Sequence, residues 1–246
     1  MLLCALVINV PEAPLQRPLE PQVQDSQSND ISGGTLASIN KALLRKQLFT
    51  MRRSIPHLTQ RLAARRLIQH SLSAGLHWRA HRIGVYMSMG SEIATQPLIQ
   101  RLRSLGKQVF LPVLSRQVTQ RKLWFVDVGR HPNWVTNRFG IQEAHGGHAI
   151  RAQQLDVLFL PLVGFDAHGY RLGMGGGFYD ASLAHLHVRR VWRKPVRIGL
   201  AYDCQLAPHP LPHDAWDVPL DAILTESGLR WFPLHSHNQQ HSVKVI

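Results

Sequence analysis

Leu155 to Phe165 reads Leu-Asp-Val-Leu-Phe-Leu-Pro-Leu-Val-Gly-Phe, an apolar run without alternation. The missing period of two predicts a strand buried on both faces, as strands of parallel sheets are. Arg82 to Met89 does alternate, with Ile83, Val85, Met87 and Met89 on one side, and predicts a second strand. Gln108 to Leu114, Lys122 to Val128, Pro195 to Asp203 and Val218 to Thr225 are further strand segments, with Val218 to Thr225 as the last. Thr95 and Pro97 start a helix with Leu98, Leu102 and Leu105 as its apolar stripe, and Gly106 stops it. Strand, helix and strand from Arg82 to Leu114 make a β-α-β unit, with parallel strands and a right-handed crossover. Upstream, Ser38 can cap a helix in which Leu44, Leu48 and Met51 repeat at helical spacing. A second helix is expected from Thr59 to Ser73, with Leu62, Ala63, Leu67 and Ile68 inward, and another from Phe178 to about His187. Asn133 to Ala152 has no period and is expected to be irregular. The fold class that follows is α/β, three-layer, with a mostly parallel, Rossmann-like open sheet flanked by helices.

Immediately after the apolar run comes Gly169-Tyr-Arg-Leu-Gly-Met-Gly-Gly-Gly-Phe-Tyr-Asp180. Gly173, Gly175, Gly176 and Gly177 permit backbone conformations closed to other residues, and a strand, glycine turn and helix N-terminus bring unpaired amides together. Such a constellation suits an anion. Arg171 adds a cation with the fork geometry for phosphate, and Asp180 could hold a metal against it. A flexible turn without a ligand fits the glycines equally well when they are taken alone. The run matches neither G-x-G-x-x-G, because the final position is Phe178, nor a P-loop. Lys41 and Arg45 lie four apart on one helix face, either as an anion clamp or as a solvated basic face. Glu92 falls where a strand hands over to a loop, at the carboxyl edge where open sheets bind ligands, although an acid before a helix N-terminus reads the same way.

Composition narrows the partners. Hydrophobic residues at 44% and charged residues at 17% fit a globular chain, while a net charge of +13 favours anionic ligands. No arginine run interleaved with aromatics occurs, which argues against nucleic acid. Cys4 and Cys204 cannot make a zinc site by themselves and read as free thiols of a cytoplasmic protein. Residues 1–35 are Pro-rich and polar after an apolar Met1–Val10, and are expected to be a disordered or non-native extension. An over-extended start and, less favoured, a cryptic signal peptide are the other readings of that segment. Residues 36–232 then form one domain, and 233–246 a flexible tail. No membrane association is expected, and a monomer acting on a small molecule is.

Placed together, Pro161 to Asp180, Lys41-Ala-Leu-Leu-Arg45, Met87-Ser-Met-Gly-Ser-Glu92, Asn137-Arg-Phe-Gly-Ile-Gln-Glu143 and Trp216-Asp-Val-Pro-Leu-Asp221 resemble the 5-formyltetrahydrofolate cyclo-ligase family, also called methenyltetrahydrofolate synthetases. The first segment carries most of the likeness. The resemblance covers residues of about 38 to 227. It implies an ATP- and Mg2+-dependent ring closure, in which the formyl oxygen of 5-formyltetrahydrofolate is phosphorylated and the second folate nitrogen displaces phosphate. The substrate is expected to be polyglutamylated.

By the same resemblance ATP would meet Lys41, Arg45, Arg171, Leu172, Gly173, Met174, Gly175, Gly176, Gly177, Phe178 and Tyr179. Asp180 and Asp217 would bind the metal, though Asp217 alone reads as a turn acid. Met87, Glu92 and Phe139 would line the folate pocket, with Glu92 and Arg171 as the catalytic pair. Two departures stand out. Gly176 stands where many members have lysine, and Ala144 where a proline often follows, which would soften a turn there. The competing reading is a non-catalytic or re-purposed ATP-binding relative. An oxidoreductase or an RNA-binding module stands well behind both.

Overall fold

The computed structural model describes residues 33–115, 121–129, 133–137, 140, 142–188 and 194–233. Most of the predicted extension and of the predicted tail therefore lies outside the described residues, as does Phe139. Helix α1 spans Gly33–Arg53, so Ser38 sits within the helix and does not start it. Helix α2 spans His57–Ser73 and α3 Leu76–Arg79. Strand β1, Arg82–Gly84, is followed by α4, Gln96–Ser104, and β2, Gln108–Val113. Strand β3 is Trp124–Asp127, β4 Asn133–Thr136, β5 Gln142–His145 and β6 Ala149–Ile150. Strand β7 is Val157–Leu160, and β8, Gly164–Phe165, pairs with β9, Arg171–Leu172. Helices α5, Phe178–Leu183, and α6, His185–Val188, precede β10, Val196–Leu200, β11, Ala222–Thr225, and β12, Gly228–Trp231.

Eight of these strands form one sheet in the order β12-β11-β10-β7-β1-β2-β3-β6. The five from β11 to β2 are mutually parallel, β12 and β3 run antiparallel to them at the two ends, and β6 pairs antiparallel with β3. Every residue of β7 is buried, as the apolar run predicts, but the run is not one strand: it breaks after Leu160, and Gly164–Phe165 pairs with β9 outside the main sheet. The β7 side chains alternate between two cores. Val157 and Phe159 join Ala63 and Leu67 of α2 and Leu98 and Leu102 of α4 on one face. Leu158 and Leu160 join Leu183 and Leu186 of α5 and α6 on the other. A third, smaller cluster seats Leu48 of α1 against Val163 and Leu172. Sheet and helices thus make the three layers expected.

Several expectations are corrected. Arg82–Met89 is not an alternating strand: β1 stops at Gly84, and Ile83 to Tyr86 are buried without a break. Pairing continues one residue further, with Val85 N–H donating to Phe110 O. Asn133–Ala152 is not irregular, since β4 and β5 form a hairpin and β6 joins the main sheet. The β4 residues are all exposed, which is why no period marks them. Ala144, expected at a softened turn, is instead buried within β5 opposite Trp134. Thr225 does not end the sheet, because β12 folds back beside β11. On α2 the buried stripe is Ala63, Ala64, Leu67 and Ser71, and Leu62 is exposed. Among the described residues no helix is long and apolar enough to cross a membrane.

Asp156 fastens the amino ends of three central strands. Its Oδ2 accepts from the backbone N–H groups of His81 and Arg82 at 2.8 and 2.9 Å, and Oδ1 from Lys194 Nζ at 2.6 Å. Burial pushes its pKa up, but these donors outweigh burial and hold it below the usual carboxylate value. A depressed folded-state pKa contributes stability at neutral pH that is lost as pH falls through it. We therefore expect Asp156→Asn to cost about 1–3 kcal/mol in urea unfolding at pH 7. The gap between variant and wild type should begin to narrow only below about pH 4 and close as the pH falls through the depressed folded-state value. Equal midpoints at pH 7 would remove this anchoring role.

Candidate functional site

Counted among the parallel strands alone, the chain runs from β1 outward to β2, then returns across β1 to β7, β10 and β11. The order reverses between β1 and β7, and ligands of open α/β sheets bind beyond the carboxyl ends at such a reversal. A cavity of about 1090 Å³ opens there. Tyr86 and Met87 enter it from the exit of β1, and Pro161 and Leu162 from the exit of β7. Proline has no N–H to continue the ladder, so the buried strand ends where the cavity begins.

One helix supplies three cations to the wall. Lys41, Arg45 and Arg52 are spaced by four and seven residues, so they share a stripe of α1 with buried Leu48. Lys41 Nζ donates to Asp214 Oδ2 at 2.8 Å and lies 4.0 Å from Asp217 Oδ2. Arg45 Nε donates to the Gly173 carbonyl at 2.8 Å, tying α1 to the glycine turn. The pair expected to clamp an anion is brought to one cavity, with each member already holding a protein acceptor.

The glycine turn needs its glycines unequally. Gly175 and Gly177 have φ of 94° and 65°, a region that strains other residues, and Gly177 stands before the first turn of α5. At Gly176 a Cβ would stand 2.8 Å from the Phe178 ring. Gly173 meets neither requirement, having a free space around it and no positive φ. Met174 is exposed and Leu172 is buried beneath the turn.

Arg171 does not stand free for a ligand. Its NH2 donates to Asp180 Oδ1 and its NH1 to the Val218 carbonyl, with the side chain only 6% exposed. Asp180 Oδ1 also accepts from Val218 N–H at 3.3 Å. Asp217 Oδ2 accepts from the Asp214 N–H at 2.9 Å. The hydrogen bonds described for Asp180 and Asp217 thus use one oxygen of each. Both carboxylates line the cavity.

Glu92 lies on the same cavity in a tightly tied loop. Its Oε2 accepts from Met89 N–H at 3.0 Å, and its own N–H donates to Met89 O. Thr95, at the start of α4 as expected, directs its hydroxyl to Tyr86 O at 2.7 Å and accepts from Ser88 N–H, closing the loop on itself. Burial raises the Glu92 pKa, partly offset by the Met89 N–H and by Arg52. Tyr86 and Tyr179 are raised as well, first by burial and then by the Glu92 charge, so both phenols stay protonated donors.

Sequence reasoning passed over four charged residues that line this cavity. Arg52 was readable from the stripe it shares with Lys41 and Arg45. Glu143 closes a segment that carries the resemblance, whereas Asp214 and Arg121 had no such signal. Glu143 accepts from Leu114 N–H at 3.0 Å and from Asn137 Nδ2 at 2.9 Å, which pins the β4–β5 hairpin to the end of β2. The Arg121 guanidinium comes within 3.8 Å of where a Cβ on Gly177 would stand.

Residues 37–226 match the model of the 5-formyltetrahydrofolate cyclo-ligase family. A 5-formyltetrahydrofolate cyclo-ligase of Escherichia coli strain K12 is 41% identical over 152 residues, covering 60% of this chain and 79% of that one. One from Haemophilus influenzae is 38% identical over 185 residues, 74% of this chain and 95% of its own. The NMR structure of a 5,10-methenyltetrahydrofolate synthetase from Aquifex aeolicus superposes with a TM-score of 0.65 at 28% identity, over 82% of this chain and 99% of that chain. The family match spans well over half the sequence and includes the glycine turn, the α1 cations and Glu92, and the chain belongs to the 5-formyltetrahydrofolate cyclo-ligase family.

Proposed function

We propose that the chain closes the ring of 5-formyltetrahydrofolate to give 5,10-methenyltetrahydrofolate, with ATP converted to ADP and phosphate. The observation that carries this reading is that one cavity joins the glycine turn and its cations to Glu92 and an apolar wall. Phosphoryl transfer asks for positioning and charge neutralisation more than for a protein nucleophile.

ATP would supply the phosphoryl group that turns the formyl oxygen into a leaving group, and Mg2+, held by Asp180 and Asp217, would neutralise phosphate charge. Magnesium is held by one or two carboxylates together with phosphate oxygens. Among the described residues no group of three or more His, Cys, Asp or Glu stands ready to hold a metal, and the second oxygens of Asp180 and Asp217 suit that smaller donor set. In this reading the amides of residues 173–177 face the phosphates, and Lys41, Arg45 and Arg121 supply the positive charge. Arg171 orients Asp180 and lends charge through it. Met87 and Leu162 cover the folate ring, and Glu92 accepts a hydrogen bond from a ring N–H. A stacking part for Phe139 rests on the sequence resemblance alone. The net charge of +13 suits a polyglutamylated folate. We take the working unit to be a monomer, and the free Cys204 fits the cytoplasm.

Incubating the purified chain with 5-formyltetrahydrofolate and MgATP should produce the near-ultraviolet absorbance of the methenyl product. Tight ATP binding with no product would instead identify an ATP-binding relative that has lost the reaction. Arg171→Ala and Asp180→Asn should each lower turnover by at least about tenfold, as removal of charge-stabilising groups does. Because the two side chains are paired, the double variant should lose far less than the product of the single losses. Independent, multiplicative losses would show that Arg171 and Asp180 act on separate atoms.

A further inference from the structure

Arg52 is the most deeply buried cation on the cavity wall, with a side chain 4% exposed. A buried guanidinium is costly unless its donors are met, and here they are met in a particular way. Nε donates to Ser91 Oγ at 3.1 Å and NH1 to the Leu162 carbonyl at 3.2 Å. These two anchors come from the loop that carries Glu92 and from the exit of β7, which flank the topological reversal. NH1 then lies 3.9 Å from Glu92 Oε1, beyond a good hydrogen bond but well within Coulomb reach.

That placement is unusual for a structural ion pair. A guanidinium serving only to neutralise a carboxylate takes it in a fork, as Arg197 does with Asp221. Arg52 gives its hydrogen bonds to neutral acceptors and leaves the Glu92 oxygens with a single described donor, the Met89 N–H. The carboxylate thus sits beside a fixed positive charge while keeping acceptor capacity for a ligand in the cavity. We propose that Arg52 is a positioning residue for the reaction, keeping Glu92 charged inside a buried site without occupying the oxygens that receive the folate N–H. The role assigned to the folate rests on the proposed ring closure.

The other groups facing Glu92 do not supply this charge. Tyr86, Tyr179 and Tyr202 feel its field, and burial holds all three phenols neutral, Tyr202 being raised to about 12. Arg52 is the cation that acts against burial on Glu92. An opposite charge at this range lowers a carboxyl pKa by about one unit or more. If Arg52 is removed, the carboxyl protonates at a higher pH. A protonated Glu92 cannot accept in the same way, so activity should fall on the acid side first.

The test compares Arg52→Met, which keeps bulk and loses charge, with Arg52→Lys, which keeps charge. In Arg52→Met the acid limb of the kcat/KM profile should move up by about one pH unit, with at least about a tenfold loss on that limb. Arg52→Lys should recover most of that shift, and KM for ATP should change by less than about threefold in both. A folded Arg52→Met with the wild-type profile overturns the proposal. So does a loss that is equal at every pH, or one carried by KM for ATP. A second readout needs no turnover: the side-chain carboxyl 13C signal of Glu92, assigned with Glu92→Gln in the full chain, should titrate about one unit higher in Arg52→Met. An unmoved titration refutes the role of Arg52 whatever the activity. A moved titration in a chain that makes no methenyl product upholds the electrostatic role and rejects the ring closure.

Discussion

Complete burial of β7 is the constraint from which the remaining architecture follows. A strand with apolar side chains on both faces must have a core on each, and with its backbone groups paired it must have a strand on each side. Its neighbours β1 and β10 satisfy the edges, and α2 with α4 and α5 with α6 satisfy the faces. Once β7 lies beside β1, the path of the chain has to reverse between them. The break at Pro161 then leaves the carboxyl end of that reversal open. Position of the cavity is therefore a result of core formation, and the chemistry was added to it by the loops and by α1.

Helix α1 and those loops hold their charges in check before any ligand arrives. Lys41 is paired with Asp214, Arg45 with a carbonyl, Arg171 with Asp180, and Arg52 stands by Glu92. Unpaired charges in a partly buried pocket would be expensive, so each cation is partnered at low cost. In the proposed reading, binding a polyanion would exchange some of these internal acceptors for phosphate oxygens. Affinity then reflects the difference between two well-solvated arrangements rather than the full attraction of bare charges.

Much of this was legible in the chain. The unbroken apolar run predicted β7, helical spacing predicted α1, α2 and α4, and the glycine segment drew attention to the turn at one end of the cavity. What failed to show had physical reasons. The β4 residues are exposed on both sides, so no alternation betrays the hairpin. Strand β12 is a short edge element held by its pairing with β11, and its burial is too slight to leave a pattern. Leu62 pointed outward because the stripe on α2 turns toward Ala64. The partners of Arg171 were invisible for another reason: a guanidinium reads as available charge until a carbonyl 47 residues away in sequence is seen to accept from it. Pairing of that kind is a property of the fold and leaves no trace in local order.

The knot of hydrogen bonds around Asp156 sits at the amino ends of β1, β7 and β10, on the side of the sheet away from the cavity. Mechanical fastening and chemistry are thereby assigned to opposite rims. Loops at the ligand rim can change length or side chain over evolutionary time without loosening the clasp that registers the strands. A scaffold divided in this way tolerates experiment where novelty is useful and resists it where drift would unravel the sheet.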